Sequence, residues 1–182
     1  IRVGVVARMQ RHRRFPELIE AFTIAAAEDS RLHLEILGRG THQTEVAKSP
    51  ASMSPYSDRI HFPGYISPED YPDRLAQFDL LVFLVPGSDG TCRAAREALA
   101  CGIPVISSRR GLLPELIPSN GGILLKDESP RSISEAILLL AQNTVLRREM
   151  GSEAYQFTQL HYRAEDMAQT IENVLKQPLR LS

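Results

Sequence analysis

Pro86-Gly-Ser-Asp-Gly-Thr-Cys-Arg-Ala-Ala-Arg-Glu97, continuing as Ala98-Leu-Ala-Cys-Gly-Ile-Pro-Val-Ile106, decides the fold. Ahead of it, Leu80–Val85 is an unbroken apolar run, the pattern of a strand buried on both faces. The strand ends in a glycine-flanked acidic turn, and a helix opens at once. That helix carries Glu97 on its second turn and closes at Gly102-Ile-Pro104. A strand end facing a helix N-terminus gathers free N–H groups and the positive end of the helix dipole, which favours a phosphate. Asp89 stands at the mouth and Glu97 about two turns deeper. Carboxylates repel phosphate but accept hydrogen bonds from hydroxyls beside it. Phosphate and hydroxyl recognition together are what a nucleotide sugar requires.

Outward from this stretch, strands and helices alternate. Ile1–Ala7 reads as a buried strand and Arg8–Phe15 as a polar loop. Pro16 suits the first turn of a helix that aligns Leu18, Ile19, Phe22 and Ala26. Arg31–Leu37 is a second strand ending at Gly38-Arg-Gly40, followed by a short helix over Gln43–Lys48. Ser49–Ser57 is Ser/Pro-rich and is expected to be a mobile loop. Arg59–Phe62 opens a third strand that ends at Pro63-Gly64, and Pro68–Gln77 follows as a short helix. Strands are expected at Val105–Ser107 and Gly121–Leu125, with a helical turn at Leu112–Leu116 between them. Ser129 caps a helix opening at Pro130, and helices over Val145–Leu160 and Ala164–Leu175 complete the chain. This alternation predicts an α/β fold: a single Rossmann-like, doubly wound parallel sheet with helices on both faces. Ligands of such folds sit beyond the carboxyl ends of the strands. The loops Ala7–Phe15, Gly38–Gly40, Pro63–Ile66, Pro86–Gly90 and Ser107–Gly111 should converge there. His61, on an apolar strand, is expected to be a satisfied core histidine.

The bulk properties exclude other classes. The chain has 182 residues and a net charge of −1, so it fits one domain with a real core and offers no nucleic-acid surface. No apolar run is long enough to span a membrane. Cys92 and Cys101 lie on one helix, roughly 13 Å apart along its axis, and cannot bridge within it. Free thiols point to a reducing, cytoplasmic setting. The His and Cys residues show no metal-ligand spacing, and no cofactor is expected. Gly38-Arg-Gly40 starts like a dinucleotide fingerprint, but Gln43 stands where a third glycine is needed, against a dehydrogenase.

These residues resemble the family-4 (group 1) retaining glycosyltransferases of the two-domain GT-B type. Glu97-Ala-Leu-Ala-Cys-Gly-Ile-Pro-Val105 is similar to the family's Glu-Ala-Met-Ala-x-Gly-x-Pro-Val run, with Asp89-Gly90 at the position of its first acid and glycine. Val6-Ala-Arg8 with Arg13 resembles its Gly-Arg-(x)4-Lys loop. Ile36–Gly40, Arg59–Tyr65, Gly111–Glu115 and Gly121–Leu125 resemble its further landmarks, in order, over about residues 1–142. Taken alone, Asp89 and Glu97 would pass for a turn aspartate and a solvated helix glutamate; the ordered series reverses that. Departures are Asp89 for Glu, Thr91-Cys92 for Phe-Gly, Arg13 for Lys, Arg14 for Gly, and Leu112 for a second glycine.

The resemblance implies the C-terminal, donor-binding half of a metal-independent, retaining enzyme of hexosyltransferase type. It would bind a UDP-, GDP- or ADP-sugar. An N-terminal acceptor domain would precede Ile1, and peripheral membrane association would run through that half. The chain alone would then transfer no sugar. Glu97 would receive the ribose hydroxyls and Asp89 a donor-sugar hydroxyl. Arg8 and Arg13 would neutralise the diphosphate, the alternative being solvated loop charges. Arg11, His12 and Arg14 are expected to be exposed or to face the other half. Gly90, Thr91 and Cys92 would offer backbone N–H groups to phosphate, and they are equally a plain helix start. Cys92 as a nucleophile lacks a nearby base. Gly64, Tyr65 and Ile66 either meet the base through backbone groups or form a strand-end turn. Gly38 and Arg39 complete the candidate binding set. The rival readings are a non-catalytic nucleotide-binding scaffold, and an epimerase or phosphorylase on the same fold.

Overall fold

In the computed structural model, which describes residues 1–84 and 92–176, each apolar run of the first half becomes a parallel strand. The strands are β1 (Arg2–Val6), β2 (His33–Leu37), β3 (Ile60–Gly64), β4 (Leu80–Phe83), β5 (Val105–Ser107) and β6 (Gly122–Leu124). They form one six-stranded sheet in the order β3-β2-β1-β4-β5-β6, and every pairing is parallel. The chain therefore winds outward from β1, returns to β4 beside it, and winds outward the other way. The loops after β1 and β4 part there, which makes that junction the switch point where such sheets take ligands.

The helices are α1 (Phe15–Glu28), α2 (Ser49–Met53), α3 (Tyr71–Leu75), α4 (Arg93–Ala100), α5 (Leu113–Leu116), α6 (Pro130–Gln142), α7 (Thr144–His161) and α8 (Ala164–Lys176). Their apolar residues form two cores, one on each face of the sheet. Phe15, Leu18, Phe22 and Ala26 of α1 meet Ile133, Ile137 and Leu140 of α6 on the first face. Leu75, Phe78, Ala95, Ala98, Leu99, Leu113 and Leu116 fill the second. The Ser129 hydroxyl accepts the Ser132 N–H and caps α6, as its position before Pro130 predicts. None of the described helices is long and apolar enough to cross a membrane.

Three expectations fail. Residues 49–53 are helical, not a mobile loop, and they continue a π-helical turn over Thr44–Lys48. Ala51 is buried against the first core, which holds the segment helical. His61 is exposed. Between β1 and the β3 edge, the second face of the sheet is an open concavity lined by Arg2, His33, Glu35, His61 and Arg74. His61 there stacks on His33, with ring centroids 5.8 Å apart. The helix over 68–77 also contracts to Tyr71–Leu75, preceded by a Ser67–Asp70 turn.

Candidate functional site

The parallel ladder does not stop where the strands do. Past the end of β1, the Ala7 N–H donates to the Leu37 carbonyl at 3.1 Å and the Met9 N–H to the Arg39 carbonyl at 3.2 Å. The Gly38 N–H donates to the Gly64 carbonyl at 2.8 Å. Three loops are thereby zipped side by side. Glycine is required for it, because a Cβ on Gly38 or Gly40 would lie 2.4 or 2.1 Å from the carbonyl oxygen of Ala7 or Met9. Gly38 thus spends its N–H on the neighbouring loop. Arg8 sits on this platform, exposed, with no side-chain hydrogen bond or ion pair among the described residues. Arg39 is exposed beside it, its guanidinium 5.8 Å from the ring centroid of Tyr65, which is also exposed. Ile66 turns inward onto the second core.

Arg13 is half-buried and lines a small hollow between the ends of β1 and β4 and the start of α1. Its neighbour Arg14 departs from expectation. Arg14 does not face outward: it pairs with Glu128 at 2.7 Å and with Glu17 at 3.2 Å. Arg110, from the loop after β5, holds the other Glu128 oxygen at 2.6 Å. This bridge ties the start of α1 to the β5 loop. Arg14 has φ 52° and Cys92 has φ 45°, the two left-handed non-glycine residues among those described. Both stand where the resembled motifs carry glycine, so the backbone shape persists without the residue that adopts it most freely. Arg11 is exposed as expected and pairs with Glu45 at 2.9 Å.

On α4, Cys92 is buried at the N-cap, its carbonyl accepting the Arg96 N–H at 3.1 Å. One turn on, Glu97 is partly exposed. Its Oε2 accepts the Tyr71 hydroxyl at 2.8 Å, and its Oε1 accepts Arg93 Nε at 2.6 Å. Burial, reinforced by the Glu97 carboxylate, drives the Tyr71 pKa well above its ordinary value, so the phenol stays a donor. Burial, and then Glu97, also pushes the Cys101 thiol up and away from nucleophilic use. Tyr71 is the site residue the sequence reading missed. Its only signal was a tyrosine opening the helix after β3, on the same end of the sheet as Glu97.

Asp89, Gly90 and Thr91 lie outside the described residues. Among the described residues, no group of three or more His, Cys, Asp or Glu side chains could hold a metal ion. Among the described residues, this end of the sheet offers two exposed cations, Arg8 and Arg39, the half-buried Arg13, and the Glu97 carboxylate with its partners Tyr71 and Arg93.

Residues 1–157 match the sequence profile of a family described as "Glycosyl transferases group 1". A curated relative from Corynebacterium glutamicum is a GDP-mannose-dependent monoacylated alpha-(1-6)-phosphatidylinositol monomannoside mannosyltransferase. It is 25% identical over 161 residues, which is 84% of this chain and 40% of that protein. The chain spans 32–45% of the length of the first curated relatives it matches. Among solved structures, Anabaena HepE in complex with UDP and glucose superposes with a TM-score of 0.85 at 19% identity, over 97% of this chain and 48% of that one. The C-terminal domain of LpcC, a glycosyl transferase group 1 family protein of Francisella tularensis, gives 0.80 at 21% identity, over 90% of this chain and 86% of that domain.

Proposed function

The chain belongs to the group 1 glycosyl transferases, and from that premise we propose that it is the donor-binding part of such an enzyme, gripping the nucleotide of a nucleoside-diphosphate sugar. The observation that carries this is the carboxylate of Glu97, held partly exposed on α4 by Tyr71 and Arg93, at the end of the sheet where Arg8 is exposed. Glu97 accepts the ribose hydroxyls. Arg8 and Arg13 face the diphosphate, with backbone N–H groups of Gly90, Thr91 and Cys92. Asp89 accepts a hydroxyl of the donor sugar. Gly64, Tyr65 and Ile66, flanked by Gly38 and Arg39, border the base.

The chemistry follows from charge. When the bond from the anomeric carbon to the diphosphate breaks, negative charge grows on the departing phosphate oxygens. Arginines at the diphosphate stabilise that charge more in the transition state than in the ground state, which is how they accelerate the step. Arginine offers paired donors matched to phosphate oxygens. Transfer proceeds with retention, without a metal, and delivers a hexose. The acceptor is presented by a second domain, so this chain binds donor without transferring it.

Calorimetric titration with UDP, GDP and ADP tests the reading. One of the three should bind at millimolar concentration or below and raise the melting temperature by mass action. Failure of all three at millimolar concentration would overturn it.

A further inference from the structure

Glu97 has a flexible side chain, and one of its two anchors is weak. Arg93 is 81% exposed and pairs with Glu97 in the i,i+4 helical relation, an arrangement too solvated to fix a carboxylate. Tyr71 is a different kind of anchor. Its ring packs against the second core together with Ile66. Its backbone N–H donates to the Ser67 carbonyl at 3.0 Å, inside a turn closed by the Ser67 hydroxyl on Asp70 at 2.8 Å. From that base the hydroxyl reaches across 26 residues of chain to Glu97 Oε2.

We propose that Tyr71 is a positioning residue for ribose recognition: its hydroxyl aims the Glu97 carboxylate and locks the loop after β3 to helix α4. This rests on the reading of Glu97 as the ribose acceptor. A carboxylate has about four lone-pair sites, so one bond from Tyr71 leaves sites for two vicinal hydroxyls. Because the phenol holds its proton, the aim persists through neutral and alkaline pH. The loop that Tyr71 anchors begins at Gly64–Ile66, so the same hydroxyl sets the distance between the base side and the ribose side of the site.

The test uses Tyr71→Phe, which removes one oxygen and keeps the packed ring, with Glu97→Gln as the second variant. Three probes are titrated by calorimetry: the tightest binder among UDP, GDP and ADP, its 2′,3′-dideoxy counterpart, and inorganic pyrophosphate. The parent should prefer the ribo form about tenfold or more, the size of a charge-assisted hydrogen bond. Tyr71→Phe should bind the ribonucleotide about fivefold to tenfold more weakly. It should lose most of the ribo preference and keep the parent affinity for pyrophosphate. Combining it with Glu97→Gln should add little, as for two members of one unit. Equal weakening for all three probes, or a full ribo preference in Tyr71→Phe, would overturn the role of Tyr71 alone. A parent that binds ribo and dideoxy forms equally would instead overturn the ribose reading of Glu97, and the Tyr71 inference with it.

Discussion

Helices α1 and α4 both cover the central strands, from opposite faces, and they are built on opposite plans. The α1 helix buries Phe15, Leu18, Ile19 and Phe22 and fills volume with large side chains. The α4 helix buries Ala94, Ala95, Ala98 and Leu99, and lies close to its neighbours because little stands in between. Where α4 ends, Gly102 meets Gly151 of α7 backbone to backbone. A helix seated on alanines leaves its other side outward, and there it carries Arg93 and Glu97. The lesson is a division of labour: one face of the sheet is packed for stability, and the other for bringing a carboxylate to a set place.

The largest effect should come from the first plan. Phe22→Ala empties a fully buried position and should cost about 3–5 kcal/mol of stability, read by urea unfolding, while the folded fraction keeps its nucleotide affinity. Gly151→Ala probes the second plan. Its Cβ would sit 2.2 Å from the Gly102 carbonyl oxygen. Overpacking of that kind should cost about 3 kcal/mol and, by displacing the end of α4, should weaken nucleotide binding as well. A variant that lost stability alone would break the link between close packing and carboxylate placement. Glu97→Ala should do the reverse, lowering affinity by about 1.5–3 kcal/mol, roughly tenfold to a hundredfold, while the urea midpoint falls far less than in Phe22→Ala, by the Tyr71 hydrogen bond alone.

The smallest effect compares the helices' ion pairs. The carboxylate of Asp29, just past α1, is buried and held by Arg31 at 2.6 Å. Hydrogen bonding to Arg31 lowers its pKa from 3.8 to about 2. A depressed carboxylate stabilises the fold above its unfolded pKa, and that stability is lost as the pH falls from about 4 towards 2. Arg31→Gln should therefore move acid unfolding to higher pH, whereas removing the exposed Arg93 should leave the acid limb where it was. Circular dichroism across that range distinguishes the two.

Much of the scaffold was legible in the residues. Apolar and alternating runs marked all six strands, and Ser129-Pro130 marked the start of α6, because short-range patterning and capping act within a few residues. What escaped depends on distant partners. Residues 49–53 are helical because Ala51 finds the first core, which no local composition records. His61 is exposed because no helix covers that corner of the sheet, a matter of topology and not of its strand. Arg14 is drawn inward by Glu128, 114 residues away, and Tyr71 reaches Glu97 across 26. Such pairs are side chain to side chain, and periodicity says nothing of them. In the candidate site, Glu97 and Arg8 were singled out by the ordered series of motifs around them; the Tyr71 hydroxyl that meets Glu97 lies outside any such motif.

The hydrogen bonds that carry the ladder beyond β1 and β2 have a thermodynamic consequence. Ordering a backbone residue costs about 1–2 kcal/mol, and at Ala7, Met9 and Gly38 folding has already met that cost. A ligand arriving at these loops finds a socket and not a glove. Their amides should exchange with solvent as slowly as strand amides before any nucleotide is added, and adding it should leave their protection nearly unchanged. A nucleotide bound on this platform would then have side chains to order but no backbone at these three residues.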